Sequence, residues 1–247
     1  MSWKSMYYSH ILLMRKEYAN ELLEASRAGY DTIAPEFSRT RGTFWSELLF
    51  VRDLIPEGSR LLDIGCGNGR FLGALEGKAL NYTGIDFSEG LIGVARECYR
   101  ERAQTTFVVG DALALPFPDR SFDNVVSFAV LHHIPSRAYR VQFLREAARV
   151  VKPGGLIVVT AWNVWHSRPG IVLEFAFKKI LGRTHTDFGD AILDFGKEKN
   201  ARYVHALTMH ELRSLANEAG LKTERLEKIR RPSGEENFFV MLRTQKP

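Results

Sequence analysis

The sequence predicts an α/β fold: a mostly parallel sheet with helices on both of its faces. From residue 60 onward, short apolar segments alternate with helical segments, which is the pattern of strands joined by helical crossovers. A glycine-rich turn at residues 65–69 directly follows the first of these apolar segments. The chain has 247 residues, 45% of them hydrophobic and 26% charged, so it can bury a substantial core.

Five strands and the helices between them account for the middle of the chain. The strands are predicted at Arg60–Ile64, Tyr82–Ile85, Thr106–Val109, Phe122–Phe128 and Leu156–Thr160. The helices are predicted at Phe71–Leu75, from the turn after residue 87 to Cys98, and at Arg137–Val151. We expect the last helix to stop at residues 152–155 (Lys-Pro-Gly-Gly), because proline and glycine end a helix sharply.

The carboxyl-terminal part predicts one more helix and an antiparallel hairpin. Thr208–Ala219 is predicted to be a helix that Gly220 closes, with Thr208 and Glu211 forming a capping box. Two strands, Leu221–Ile229 and Glu236–Leu242, flank a turn with proline and glycine. Between the fifth strand and this helix, residues 166–201 break the pattern, and we predict that they are an insertion on the substrate side.

The amino-terminal residues predict an amphipathic helix rather than a signal peptide. Ile11, Met14, Tyr18, Leu22 and Ala25 recur at helical spacing, and no small-residue cleavage pattern follows the apolar stretch. We therefore expect residues 1–28 to be a helical extension and residues 29–247 to form the main domain.

Charge and cysteine content narrow the classes of function. No stretch approaches the roughly 18 apolar residues that a membrane span needs. The two cysteines, Cys66 and Cys98, form no disulfide framework, so a reducing cytoplasm is expected. The net charge of +5 is compatible with a polyanionic partner but does not require one.

Three acidic residues follow three successive strands and predict a nucleoside site. Asp63 precedes the glycine turn, Asp86 lies 21 residues after Gly65, and Asp111 follows the third strand. Ligands of open α/β sheets bind at the carboxyl ends of the strands, where a carboxylate can accept both hydroxyls of a ribose. The dinucleotide pattern G-x-G-x-x-G would need a glycine at Arg70, so a nicotinamide cofactor is disfavoured.

These segments, together with Asp111–Pro116 and Arg149–Gly155, resemble the class I S-adenosylmethionine-dependent methyltransferases. The resemblance implies a Rossmann-like fold with a seven-stranded sheet, and S-adenosylmethionine as the cofactor. It assigns cofactor contacts to the glycine turn and to the residues after the following strands: Tyr30, Asp63, Gly65, Cys66, Gly67, Asp86, Phe87, Asp111, Ala112 and Ala129. No metal site is expected.

A narrower resemblance links the chain to the tRNA wobble-uridine carboxymethyl methyltransferases. It rests on residues 30–41 with Trp45, residues 128–133, the run Arg202-Tyr203-Val204-His205, and residues 237–240. The chain departs from this group at Val204, where the group usually has tyrosine. The resemblance implies tRNA as the substrate, and in eukaryotic members a small zinc-binding subunit supports the enzyme.

The same resemblance suggests an acceptor site. It implies catalytic roles for Arg41, His132 and His133, and substrate contacts for Trp162, Arg202, Tyr203 and His205. Each of these residues has a structural alternative: a histidine that caps a helix, a surface arginine, or a tryptophan that packs in the core. Trp165 is a second candidate for stacking on a base.

The sequence leaves the acceptor open. A carboxylate is ionised at neutral pH and needs only a cation to orient it, whereas a hydroxyl or amine needs a base such as histidine. Besides RNA, a small metabolite such as a quinone precursor is an alternative acceptor, and a protein that binds cofactor without catalysis is a third hypothesis. Arg168, Lys178, Lys179 and Arg183 of the insertion either contact RNA or face water on a lid.

Overall fold

The computed structural model describes residues 14–195 and 200–244. We number strands and helices in chain order. The strands are β1 (Arg60–Ile64), β2 (Asn81–Asp86), β3 (Thr105–Val109), β4 (Phe122–Phe128), β5 (Val151–Trp162), β6 (Asp190–Phe195), β7 (Asn200–His205), β8 (Leu221–Arg230) and β9 (Glu236–Thr244). The helices are α1 (Lys16–Thr40), α2 (Arg70–Ala74), α3 (Glu89–Cys98), α4 (Arg137–Val150), α5 (Val164–Ser167), α6 (Pro169–Ile180) and α7 (Met209–Glu218). Ser46–Leu54 and Leu131–His133 form 3-10 turns.

Seven strands form one sheet in the order β3-β2-β1-β4-β5-β9-β8. Strands β1 to β5 pair in parallel, and β9 is antiparallel to both β5 and β8. The predicted fold class, including the carboxyl-terminal hairpin, is confirmed. The strand order reverses between β1 and β4, which opens a crevice at the carboxyl ends of the strands.

The core lies on both faces of this sheet, because successive side chains of a strand point to opposite faces. In β1, Leu61 packs with Phe71 on one face. Leu62 and Ile64 pack with Phe143 of α4 on the other face. These side chains are almost fully buried, so the carboxyl end of β1 is held firmly from both sides.

Two short helices and a hairpin span residues 164–205 and extend beyond both ends of the predicted insertion at residues 166–201. β6 and β7 pair antiparallel as a separate two-stranded sheet, from Asp190 opposite His205 to Phe195 opposite Asn200. Val164, Val172 and Val204 bury a small core of their own between the hairpin and the helices α5 and α6.

At the amino terminus, α1 runs without a break through residues 28 and 29. No end of a helix or strand therefore marks the predicted boundary at residue 28, and the division into extension and domain stays a prediction. Ile11, the first position of the predicted helical stripe, lies outside the described residues.

Two local predictions were wrong in part. Residues 152–155 do not separate α4 from β5, because β5 begins at Val151, directly after the helix, and includes them as an irregularity in the pairing with β4. The capping box is half formed: Thr208 Oγ1 accepts a hydrogen bond from the Glu211 amide at 3.1 Å. The Glu211 carboxylate binds His205 instead of the Thr208 amide.

No helix within the described residues combines the length and the apolar content that a membrane crossing needs.

Gly84 in β2 tests how tightly the sheet packs against the glycine turn. A Cβ at this position would lie 2.8 Å from Cys66 Sγ and 2.9 Å from a Phe107 ring carbon. We expect Gly84→Ala to lower the free energy of unfolding by about 1–3 kcal/mol, the usual effect of overpacking. Urea denaturation measures this change.

Gly93→Ala is the matched control, because Gly93 is an exposed position of α3 with nothing within 4 Å of an added Cβ. Alanine should stabilise this helix by up to about 1 kcal/mol. Equal free energies of unfolding for the two variants would contradict the packing described for β2.

Candidate active site

A cavity of about 750 Å³ opens at the carboxyl ends of β1 to β5, a volume typical of sites for small molecules and cofactors. All ten predicted cofactor residues line it. They are Tyr30, Asp63, Gly65, Cys66, Gly67, Asp86, Phe87, Asp111, Ala112 and Ala129. Residues that are distant in sequence therefore meet in one cavity, because the parallel strands all end at the same edge of the sheet.

The glycine turn between β1 and α2 needs glycine for steric reasons. Gly65 has a φ of +72°, and a Cβ there would lie 2.2 Å from Val130 Cγ2. The amides of Gly65 and Cys66 donate to the Ile85 carbonyl at 2.7 and 3.1 Å, which ties the turn to β2. The backbone can thus approach a ligand where any side chain would be excluded.

The Asp86 carboxylate, at the end of β2, is buried beside this turn. Oδ2 accepts a hydrogen bond from the Gly67 amide at 2.9 Å, and Oδ1 accepts one from the Ser88 amide at 3.0 Å. Burial raises the pKa of Asp86 to about 6 although these hydrogen bonds oppose the shift. Each carboxylate oxygen has capacity for a further donor, as recognition of two ribose hydroxyls requires.

Asp111 occupies the corresponding place after β3. Its Oδ1 accepts a hydrogen bond from the Leu113 amide at 2.8 Å, which fixes the carboxylate at the edge of the cavity. Oδ2 keeps its capacity to accept from an exocyclic amine. Gly65, Asp86 and Asp111 therefore line one cavity, and their contacts with the aminoacyl, ribose and base parts of the cofactor stay a prediction.

Asp63 and Cys66 are buried deeper and hold the turn rather than react. The Tyr82 hydroxyl donates to Asp63 Oδ2 at 2.6 Å. Burial raises the pKa of Asp63 to about 7, and it raises the pKa of the Cys66 thiol well above its usual value. A nucleophilic role for Cys66 is disfavoured, because the thiolate is the reactive form.

The other half of the cavity contains the predicted acceptor residues Arg41, His133, Trp162 and Arg202. His133 Nδ1 lies 2.9 Å from the Tyr203 carbonyl oxygen. A carbonyl only accepts hydrogen bonds, so Nδ1 carries the proton, and the lone pair of Nε2 faces the Tyr30 hydroxyl at 3.4 Å. Burial lowers the pKa of His133 to about 3, and the imidazole is therefore neutral.

His132 does not line the cavity and is fully buried. The Trp162 amide donates to its Nδ1 at 3.3 Å, and its ring lies against the Trp162 indole with centroids 4.6 Å apart. Burial lowers the pKa of His132 well below its usual value. Its Nε2 has no hydrogen-bond partner among the described residues.

Two arginines approach the acceptor half from different elements. Arg41 follows α1, and its carbonyl oxygen accepts a hydrogen bond from Asn68 Nδ2 at 3.2 Å, which links the end of α1 to the glycine turn. Arg202 extends from β7, interacts with Tyr30, and places its guanidinium carbon 4.7 Å from the centroid of the Trp162 ring. Trp162 thus packs against His132 and Arg202 and also lines the cavity, and its predicted contact with the substrate stays a prediction.

Three further candidates lie outside the cavity lining. The Tyr203 hydroxyl and His205 Nδ1 both contact the buried carboxylate of Asp190, at 2.5 and 2.6 Å. Neither side chain reaches the cavity, so the structure places both in the buried contacts of the β6–β7 hairpin. Trp165 is partly exposed and donates through Nε1 to the Ala206 carbonyl at 2.9 Å.

The cavity also contains residues that the sequence did not point out. Arg70 lies with its guanidinium carbon 3.7 Å from the centroid of the Trp45 ring, and Arg231 forms an ion pair with Glu47 at 3.2 Å. Both arginines line the cavity. The position of Arg70 directly after the glycine turn was a usable signal. No sequence signal distinguishes Arg231, in the β8–β9 turn, from an ordinary surface arginine.

The basic residues of the insertion lie in two different places. Arg168 lines the cavity. Lys178 forms an ion pair with Glu174 at 2.6 Å on the exposed side of α6, where Phe177 is also exposed. The predicted contact of this segment with RNA stays a prediction.

Comparison with known proteins gives a consistent family. Residues 62–159 match the family described as a methyltransferase domain. The chain is 38% identical over 133 residues to the tRNA (carboxymethyluridine(34)-5-O)-methyltransferase of Arabidopsis thaliana, covering 54% of this chain and 31% of that protein. It is also 31% identical over 216 residues to a protein of Encephalitozoon cuniculi that is named as a methyltransferase. This match covers 86% of this chain and 92% of that protein.

Solved structures agree on the fold. An S-adenosylmethionine-dependent methyltransferase of Methanosarcina mazei matches with a TM-score of 0.66 at 24% identity, covering 83% of this chain and 100% of that one. A chain from a Haloferax volcanii complex between the Trm112 methyltransferase activator and a methyltransferase matches with a TM-score of 0.68 at 21% identity, covering 90% and 98%. The chain thus spans its Encephalitozoon relative almost fully, but only about a third of the Arabidopsis relative.

The carboxylate of Asp86 should determine how tightly the cofactor half of the cavity binds S-adenosylmethionine. Replacing it with asparagine removes charge-assisted hydrogen bonds worth about 1.5–3 kcal/mol, so we expect the affinity for S-adenosylmethionine to fall by about one to two orders of magnitude. Since the pKa of Asp86 is about 6 and the ionised form is the better acceptor, affinity of the parent should also fall as the pH drops below 6. Calorimetric titration at several pH values measures both effects.

Asp53→Asn, at an exposed position of the 3-10 turn before β1, is the control and should bind as the parent does. An affinity that neither Asp86→Asn nor acid pH weakens would show that the ribose does not lie at Asp86.

Proposed function

We propose which chemical group accepts the methyl, starting from the family: this chain belongs to the class I S-adenosylmethionine-dependent methyltransferases. The acceptor is a carboxylate: the carboxymethyl group of a uridine at the wobble position of tRNA. The cofactor supplies a methyl group already activated on a sulfonium. The contribution of the protein is therefore to bind the acceptor and align it, and such positioning can supply about 7–11 kcal/mol.

The observation that carries this proposal is that the unprotonated nitrogen of His133, Nε2, already faces the Tyr30 hydroxyl at 3.4 Å. A general base works best when its pKa lies near the operating pH. Burial lowers the pKa of His133 to about 3. His132 is buried outside the cavity, and burial lowers its pKa further. Neither histidine is suited to take a proton from a hydroxyl or an amine, whereas a carboxylate needs no base.

Arginine side chains supply what a carboxylate does need. Arg41 and Arg202 line the acceptor half together with Trp162, and a guanidinium can hold a carboxylate by two parallel hydrogen bonds. The Tyr30 hydroxyl lies between Arg202 and His133, and these two contacts hold it beside the acceptor half. In this arrangement the arginines orient the carboxylate, and the neutral histidine orients the phenol.

The names of relatives support tRNA as the carrier of that carboxylate. Relatives from Arabidopsis thaliana and Saccharomyces cerevisiae are named tRNA (carboxymethyluridine(34)-5-O)-methyltransferases, and each aligns with 54% of this chain at 38% and 35% identity. We also propose that a small activating subunit assists the enzyme. The Haloferax volcanii structure with the same fold comes from a complex with a methyltransferase activator.

A pair of anticodon stem-loop RNAs tests the acceptor. One has 5-carboxymethyluridine at the wobble position, and the other has the uncharged amide, 5-carbamoylmethyluridine. We expect transfer of labelled methyl to the acid alone, as an ester that mild alkali removes, because only the carboxylate can be oriented by arginine. Alkali-stable label on both RNAs would reject the carboxylate as acceptor. Label on neither RNA, with or without an added activating subunit, would favour a small metabolite.

Arg202→Gln tests the orienting cation within the same assay. Losing the charge-assisted hydrogen bonds should lower kcat/KM for the acid RNA by about one to two orders of magnitude, while cofactor affinity stays unchanged. Arg100→Gln, at an exposed arginine that pairs with Glu97 and Glu101, is the matched control and should keep parental activity. If the two variants were equally active, Arg202 would have no part in binding the acceptor.

A further inference from the structure

We propose that His205 is a positioning residue: clamped between the buried carboxylate of Asp190 and the partly buried carboxylate of Glu211, it holds the β6–β7 hairpin so that Arg202 and His133 face the acceptor. The proposal rests on the proposed function for the identity of the acceptor, but not for the geometry of the clamp.

Both ring nitrogens of His205 face carboxylate oxygens. Nδ1 lies 2.6 Å from Asp190 Oδ1, and Nε2 lies 2.9 Å from Glu211 Oε2. An ionised carboxylate only accepts hydrogen bonds, so both nitrogens carry protons and the ring is an imidazolium. The Asp190 side chain is fully buried and that of His205 is 5% exposed, so this charge is held away from solvent.

Two cations and two anions balance in this cluster. Arg140 of α4 lies 3.4 Å from Glu211 Oε1 and donates to the Tyr203 hydroxyl at 3.3 Å. The Tyr203 hydroxyl in turn donates to Asp190 Oδ1. The cluster therefore joins the hairpin to α4 and α7, the two helices beneath it. Removing one partner of such a buried set leaves an uncompensated charge, which is strongly unfavourable.

Alternation of side chains along β7 links this cluster to the position of Arg202 in the cavity. In β7, Tyr203 and His205 point into the buried cluster. Arg202, which precedes Tyr203, points to the opposite face and into the cavity. The backbone carbonyl of Tyr203 also accepts the hydrogen bond from His133 Nδ1. Tyr203 and His205 thus hold the Arg202 side chain toward the acceptor, and the Tyr203 carbonyl fixes the tautomer of His133.

The clamp depends on pH through His205. Burial and Arg140 lower the pKa of His205, but hydrogen bonds to Asp190 and Glu211 outweigh them and the pKa is raised. The other groups around it are Tyr203, which stays protonated because burial raises its pKa, and His132, which is neutral. A raised pKa means that the clamp is intact below about 6.5, the value of the free side chain, and is lost as the pH rises through the folded-state pKa.

His205→Gln tests the role, with His210→Gln as the matched control, because His210 is an exposed histidine of α7, next to Glu211. The readouts are the dissociation constant of S-adenosylmethionine and kcat/KM for the stem-loop RNA with 5-carboxymethyluridine, from pH 6 to 10. Turnover is followed as release of S-adenosylhomocysteine, because alkali removes the methyl ester from the RNA. A displacement of about 1 Å in a site can cost about 100-fold, so we expect a loss of that order in kcat/KM with cofactor affinity intact. The alkaline fall in parental activity should be absent from His205→Gln and present in His210→Gln.

Glu211→Gln is a second variant, which keeps an oxygen acceptor for Nε2 while removing one charge. It should lower kcat/KM less than His205→Gln does and shift the alkaline fall to lower pH. Parental kcat/KM in His205→Gln would overturn the proposal, and so would an equal loss of cofactor affinity, because a general structural defect would then explain the variant.

Amide hydrogen exchange separates failure of the clamp from failure of the proposed function. In His205→Gln, exchange should accelerate in β6 and β7 and stay parental in β1 and β4. If the parent protein does not methylate the RNA, the carboxylate acceptor is wrong, and the exchange data still decide the clamp. Parental exchange in the hairpin of His205→Gln would overturn it.

Discussion

The acceptor half of this protein depends on one hydrogen bond, from His133 Nδ1 to the carbonyl oxygen of Tyr203. It joins the turn after β4 to a strand that is 70 residues away in sequence and belongs to a different sheet. Because a carbonyl cannot donate, this bond selects one tautomer and leaves Nε2 as an acceptor toward Tyr30. The direction of Tyr30, and with it the surroundings of Arg202, follows from that selection.

The two halves of the cavity suit ligand groups of different charge. Carboxylates lie at the ends of β1, β2 and β3, where a nucleoside offers hydroxyl and amine donors. Arg202 of β7 lies beside Trp162, where the proposed acceptor brings a negative charge. Arg70, by contrast, lies on the carboxylate side and interacts with Asp63. Burial acts on both halves in the same physical direction, toward the neutral form: it raises the pKa of Asp86 and lowers that of His133. Arginine keeps its charge under such conditions better than histidine does, which suits it to orient an anion.

Most of the fold could be predicted from the sequence because its signals are local. The strand Phe122–Phe128 was predicted with the bounds that the structure has, since its aromatic and β-branched residues between turns are typical of a strand. The cofactor half was equally accessible. Glycines and acidic residues directly after strands are adjacent in sequence to the elements that position them, and topology brings all strand ends to one edge.

The acceptor half was harder, because its geometry depends on partners far apart in sequence. Periodicity places Arg202 and His205 on opposite faces of a strand, but it does not say which face meets the cavity. Asp190 and Glu211 decide that, and neither belongs to a recognisable motif. Arg231 reaches the cavity only through the pairing of β8 with β9. The resemblance to a family drew attention to the run at residues 202–205, but it did not show that Arg202 lines the cavity while Tyr203 and His205 lie outside it.

The central claim is that His133 is a neutral acceptor of a hydrogen bond and not a catalytic base. Nitrogen-15 NMR of the histidine side chains measures this directly, because protonated and unprotonated ring nitrogens have distinct chemical shifts. We predict a protonated Nδ1 and an unprotonated Nε2 in His133, with shifts that stay constant from neutral pH down to about 5, since its pKa is about 3. A titration of His133 with a midpoint near the ordinary histidine value of about 6.5 would contradict it.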